Sequence, residues 1–128
     1  MSSNLLLDTD ILVNIARGNL EARELFNSFL AEDGIYISAV TEMELVVGCR
    51  NKSELRELSR LLKQVNIIPI TPQITTIAIK LLHAYRLSHG LLIADALIAA
   101  TSIASKRTLS SGNAKHFSMI KELQFRTT

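Results

Sequence analysis

Several residue types are scarce in this chain, and each shortage narrows what it can be. Its 128 residues include one cysteine, Cys49, two prolines, five glycines and no tryptophan. A lone cysteine cannot close an internal disulfide, so the fold must stand on its core, and a reducing compartment is the simplest home. No stretch approaches the roughly 20 uninterrupted apolar residues of a membrane span. Met1-Ser2-Ser3-Asn4 places no basic residue ahead of the first apolar run, which argues against a secretory signal and for a cytoplasmic protein. There is no internal repeat and no low-complexity linker. What remains is an ordinary globular composition, 48% hydrophobic and 20% charged, with a slightly positive mean hydropathy of +0.24. That excludes disordered and collagen-like chains. The length suits one core, so a single domain over 1–128 is expected.

Aspartate is scarce as well: only Asp8, Asp10, Asp33 and Asp95 occur. The formal net charge of +2 says little by itself. If Asp8, Asp10, Glu44 and Asp95 shared one pocket, taking these four from the 12 acidic residues would leave 8 against 14 basic ones on the rest of the chain. An acidic hole in a basic surface suits a polyanion whose phosphate is bridged to carboxylates by a metal.

Hydrophobic spacing organises the chain into short strands alternating with helices. Asn4 to Leu7 reads as a buried strand. Helical text follows from Asp10 to Arg17 and from Leu20 to Glu32, broken at Asp33-Gly34. Ile35-Tyr36-Ile37 is β-branched and aromatic, a second strand. Ser38 to Cys49 reads as a helix with Thr41 as N-cap, and Leu55, Leu58, Leu61, Leu62 and Val65 mark the cleanest amphipathic helix. Ile67 to Ile70 is a third strand, where Pro69 points to a sheet edge or a strand end. Thr71-Pro72 opens a helix that Ser88-His89-Gly90 ends. Ile93 to Ser105 is apolar on nearly every face, a helix buried in the fold. Thr108 to Ser110 and Leu123 to Arg126 complete the strands. This alternation predicts an α/β fold with a parallel sheet covered on both faces.

In such folds ligands bind at the carboxyl ends of strands, beside helix N-termini. Asp8 follows the first strand directly and Asp10 comes two residues later. Each could serve simply as a helix cap. Glu44 lies three residues after Thr41, so Thr-x-x-Glu could be a capping box. Asp95, in a first helical turn, gains from the helix dipole. Yet Asp95 sits between Ile93-Ala94 and Ala96-Leu97-Ile98, where an unpaired carboxylate carries a large desolvation cost. A metal or a cationic partner resolves that cost, and no Lys or Arg occurs from Leu87 to Ser105. Glu42 competes with Glu44, because two helical residues turn by about 200° and both cannot face one ion. Spacing does not choose between them.

These residues carry a family resemblance. Leu5-Leu6-Leu7-Asp8-Thr9-Asp10 resembles the opening of a PIN domain. Ile37-Ser38-Ala39-Val40-Thr41-Glu42-Met43-Glu44-Leu45 resembles its second block, a Ser-x-x-Thr-x-x-Glu-Leu pattern that picks Glu44 over Glu42. Asp95 to Thr101 is similar to the third block, and Leu109 to Phe117 to the fourth. The ordered set spans almost the whole chain, and the short length is most like the VapC-type toxins of toxin–antitoxin pairs. The resemblance implies a three-layer α/β/α fold with a short-stranded parallel sheet, and a Mg²⁺- or Mn²⁺-dependent ribonuclease. It implies Asp8, Glu44 and Asp95 as acidic metal ligands, with Asn113 at the fourth site position. Hard oxygen ligands suit these cations, and no His/Cys cluster supports zinc. Metal-ion catalysis would polarise the scissile phosphate and help to generate hydroxide from water.

Two departures stand in the fourth block. Ser111 replaces the usual Thr, and Asn113 stands where many members have Asp, so a second metal would bind weakly unless Asp10 supplies the missing carboxylate. His89 and His116 read as surface or loop residues. The resemblance further implies an RNA substrate, a cognate antitoxin laid across the active site, often with an Arg among the carboxylates, and a homodimer. Leu55, Leu58 and Leu62 could serve the core, the dimer or the antitoxin groove. The alternative from another class is a non-catalytic PIN-like domain that binds RNA or a partner. Asp8-x-Asp10 also resembles the haloacid-dehalogenase phosphatase opening, but that family's late acidic pair is missing. A receiver-type switch would need an aspartate on a middle strand, and none lies between Asp33 and Asp95.

Overall fold

Strand β1, Leu5–Leu7, sends its side chains alternately to two apolar layers, as the pleat of a strand requires. Leu5 and Leu7 pack with Ile11, Leu12, Phe26, Phe29 and Ile37. Leu6 packs on the opposite side with Ile98, Ala99, Leu109 and Phe117. A strand buried on both faces needs helices on both faces. In the computed structural model, which describes residues 4–31 and 34–127, they are present.

The elements follow in the order β1, α1 (Thr9–Ala16), α2 (Leu20–Ala31), β2 (Tyr36–Ser38), α3 (Ala39–Val47) and α4 (Lys52–Leu62). Then come β3 (Asn66–Ile68), α5 (Pro72–His89), α6 (Ile93–Ser105), β4 (Thr108–Ser111), α7 (Ala114–Phe117) and β5 (Phe125–Thr127). The strands form one parallel sheet in the order β3-β2-β1-β4-β5. This is the three-layer α/β/α arrangement that the alternation implied. The sheet grows from β1 in both directions, so the strand order reverses between β1 and β4. Among the described residues no helix is long and apolar enough to cross a membrane.

Local chemistry explains the boundaries. Pro69 follows β3, an edge strand, where a missing N–H costs no ladder bond. Thr71 caps α5 by accepting from Ile74 N at 3.2 Å, with Pro72 in the first turn. Gly90 ends that helix in the left-handed region at φ +70. Thr71→Ala removes this acceptor and is expected to cost about 1 kcal/mol, read as a lower urea midpoint with unchanged slope.

Some expectations are corrected. The N-cap of α3 is Ser38, whose side chain accepts from Val40 N, so Thr41 lies inside the helix and Glu44 belongs to no capping box. Strand β2 runs one residue later than Ile35–Ile37. Strand β5 begins only at Phe125, because Leu123 is drawn into the core with Phe117 and Ile120. The one-turn helix α7 carried no periodic signal. Leu58 is buried and Leu62 packs partly against the core, while Leu55 remains exposed. The readings placed on Met1 to Ser3, Glu32 and Asp33 lie outside the described residues.

Candidate active site

Where the strand order of an open parallel sheet reverses, the loops on either side diverge and leave a crevice at the strands' carboxyl ends. Here that crevice lies between β1 and β4. Asp8 N donates to Ser110 O at 3.0 Å, which locks the end of β1 to β4. The Asp8 carboxylate then serves two partners. Oδ1 accepts from Thr9 N at 2.8 Å and caps α1, while Oδ2 accepts from Ser111 Oγ at 2.7 Å. Asp8 is therefore a helix cap and also a crevice acid, only 4% exposed.

Three further acids lie in the same electrostatic neighbourhood, each from a different element. Asp10, in the first turn of α1, accepts from Gly112 N through Oδ2 at 2.8 Å. Its Oδ1 is buried without a hydrogen-bond partner among the described residues. Glu44 on α3 accepts from Thr9 Oγ1 through Oε1 at 2.7 Å, and Thr9 Oγ1 also lies 3.1 Å from Thr41 Oγ1. Asp95, in the first turn of α6, pairs through Oδ2 with His116 Nδ1 at 3.1 Å. The 111–116 segment thus touches Asp8 through Ser111, Asp10 through Gly112 and Asp95 through His116.

The electrostatics agree with this proximity. Burial pushes the Asp8 carboxyl up from 3.8 to about 6, against the Ser111 and Thr9 hydrogen bonds, and the Asp10 and Asp95 charges add to the rise. Burial likewise raises Asp95; the His116 charge opposes the rise and the Glu44 charge adds to it. Like charges held together in a poorly hydrated crevice call for a counter-cation. The donor set is all oxygen, and the orphaned Asp10 Oδ1 is an acceptor awaiting a partner, so these residues fit a hard divalent ion. Among the described residues, no three or more His, Cys, Asp or Glu side chains are arranged to hold an ion outright. Hydrogen-bond donors instead occupy oxygens of Asp8, Asp10 and Glu44, and His116 pairs with Asp95.

The structure therefore brings Asp8, Asp10, Glu44 and Asp95 into one electrostatic neighbourhood, and Glu42 has no part in its hydrogen bonds. Asn113 arrives by its backbone: its N–H donates to Ser111 Oγ at 2.9 Å, and its exposed side chain caps nothing. Sequence reasoning missed His116, Thr9 and Ser111 as members of the site. It left Asp95 to a metal or a cationic partner, and weighed only nearby Lys and Arg for the latter. The hint for His116 was its position about one helical turn after Asn113, in the block that returns to the crevice. Among the described residues His89, by contrast, bonds only its neighbour Ser88.

Residues 5–121 match the family model described as PIN domain. The chain is 35% identical over 121 residues to Ribonuclease VapC10 of Mycobacterium tuberculosis, covering 94% of this chain and 90% of that one. Among solved structures it is similar to VapBC2 from Rickettsia felis bound to a DNA fragment from their promoter. That likeness has a TM-score of 0.82 at 25% identity and covers 97% of this chain and 98% of the other. It is also similar to a toxin–antitoxin complex from Klebsiella pneumoniae, with a TM-score of 0.76 at 29% identity, over 93% of this chain and 94% of the other.

Proposed function

Because this chain belongs to the PIN domain family, we propose that it is a Mg²⁺- or Mn²⁺-dependent endoribonuclease, the cytoplasmic toxin of a type II toxin–antitoxin pair. One nuclease domain spanning the chain performs the reaction. What supports this reading is the shared electrostatic neighbourhood of Asp8, Asp10, Glu44 and Asp95 beside the strand-order reversal, with Asp8 and Asp95 both pushed upward by burial. The ribonuclease name of a relative 35% identical over most of both chains supports the substrate class.

Asp8, Glu44 and Asp95 would hold the cation, with Asp10 supplying the carboxylate that Asn113 lacks. The chemistry supplied by the bound ion is polarisation of the scissile phosphate and activation of water. The protein's part is placement. Ser111 fixes the Asp8 carboxylate and Thr9 fixes Glu44, so the acids are oriented before substrate arrives. The four carboxylates repel RNA until their charge is offset, while the basic remainder of the chain attracts it. Metal-free protein should therefore hold RNA poorly at the crevice.

A groove of about 720 Å³ runs from Glu44 between α1, α2, α3 and α4. Val13, Leu45, Leu58 and Leu61 line it beside Arg17, Arg23 and Arg60. Apolar and cationic lining together suits a segment of the cognate antitoxin, the class of partner bound in the Klebsiella toxin–antitoxin complex. On another side, Leu87 is 100% exposed and Ile93 70%, with Ile79 and Leu92 beside them. A patch this apolar suits a homodimer. Leu87→Asp together with Ile93→Asp is expected to turn a dimer into a monomer in sedimentation, with the helix content intact.

The direct test uses chelator-treated protein with structured RNA, with and without Mn²⁺. Internal cuts that appear only with the cation support the proposal. Tight RNA binding with no metal-stimulated product would favour a non-catalytic binding domain.

A further inference from the structure

A carboxylate binds a cation more tightly through one oxygen when a neighbour fixes the other, because the ion then has less ordering left to impose. Asp95 has such a partner. Its Oδ2 lies 3.1 Å from His116 Nδ1, and no protein donor reaches Oδ1 among the described residues. The backbone that carries the imidazole is itself held. His116 N donates to Asn113 O at 3.0 Å, Ser118 N donates to Ala114 O at 2.9 Å, and the adjoining Phe117 is fully buried. One turn of helix therefore carries a core anchor and an exposed ring side by side, and the anchor sets where the ring can reach. The same segment orients Asp8 through Ser111 and Asp10 through Gly112. His116 extends that service to the one acid that comes from the far side of the crevice.

We propose that His116 is a positioning residue for the cation: its Nδ1–H holds Asp95 Oδ2 and leaves Oδ1 turned to the metal. This deepens the proposed nuclease function and rests on its metal reading. It assigns His116 no proton transfer and no direct bond to the ion. The arrangement works through the carboxylate, so the loss of His116 should appear in metal affinity first and in cleavage only as a consequence.

The test is calorimetric titration of Mn²⁺ into the full chain without RNA, for wild type, His116→Ala and His116→Asn. Asparagine places an amide donor near the position of Nδ1, so it should keep the hold on Asp95. The expected result is affinity weakened on the order of 10–100-fold in His116→Ala and largely restored in His116→Asn, with the metal-free melting temperature of both near wild type. Affinity in His116→Ala equal to or tighter than wild type would overturn the proposal and mark the imidazole as a bystander or a competitor. Weakening that His116→Asn fails to rescue would also overturn it, since the effect would then not run through a donor at that position. If wild type itself bound no Mn²⁺, the metal reading would fail and this inference with it.

Discussion

Asp8→Asn is expected to remove cation-dependent RNA cleavage while leaving the fold in place. This side chain has two separable jobs. As N-cap of α1 it needs only an oxygen to accept from Thr9 N, and asparagine caps about as well as aspartate. At Oδ2 an amide can donate to Ser111 Oγ where the carboxylate accepted, so the crevice keeps its hydrogen bond with the roles reversed. What is lost is the charge. Metal-ion catalysis is worth several kcal/mol of transition-state stabilisation, so the rate should fall on the order of a thousandfold or more. Asp95→Asn should do the same from the opposite side of the crevice. Asp10→Asn should cost less, since Asp10 only stands in for the carboxylate that Asn113 lacks and the amide oxygen still accepts from Gly112 N. RNA cleavage rates beside circular dichroism spectra decide the matter, and wild-type-like cleavage by Asp8→Asn or Asp95→Asn would reject the assignment.

The same buried charge makes the metal-free protein unusually sensitive to pH, in the direction opposite to ordinary acid denaturation. The Asp8 carboxyl lies at about 6 when folded and at 3.8 when unfolded. Between those values the native state binds more protons than the unfolded state, so stability falls as pH rises. The contribution is fully present below the unfolded value and is lost as pH climbs through about 6. Two pK units correspond to about 3 kcal/mol, a large share of the stability of a small domain. Asp95 shifts in the same direction and adds to the slope. Urea unfolding of chelated protein should therefore show a falling midpoint from mildly acidic to neutral pH. Asp8→Asn should flatten much of that fall, and Mn²⁺ at a hundred times its dissociation constant should restore about 2.7 kcal/mol at neutral pH. A midpoint independent of pH in the chelated wild type would contradict the burial of an ionised Asp8.

The fold was largely legible because its central strand is buried on both faces. Leu5-Leu6-Leu7 and Ile67-Ile68 stand out as apolar runs, and the helices between them keep strong punctuation, such as Thr71-Pro72 and Gly90. The acids were legible for the same reason: Asp8 is conspicuous directly after three leucines, and Asp95 amid alanines and isoleucines. Hydrogen bonds among short polar residues left no periodic trace. Ser38 and Thr41 both look like caps, and only the backbone path decides that Ser38 accepts from Val40 N. Helix α7 is a single turn, too short for any face to repeat, so the approach of His116 to Asp95 depended on a long-range return of the chain. The Leu87–Ile93 surface was hidden by its own composition, since apolar residues at a helix end read as core until their exposure is known.

The claim that Asp8, Glu44 and Asp95 serve one ion is tested most directly by anomalous diffraction from crystals soaked in Mn²⁺. The predicted result is a strong peak in the crevice between β1 and β4, within bonding distance of carboxylate oxygens from both Asp8 and Asp95, and its loss in Asp8→Asn crystals. A crevice without a peak, or a manganese ion bound by other residues with these acids still held by their protein donors, would contradict it.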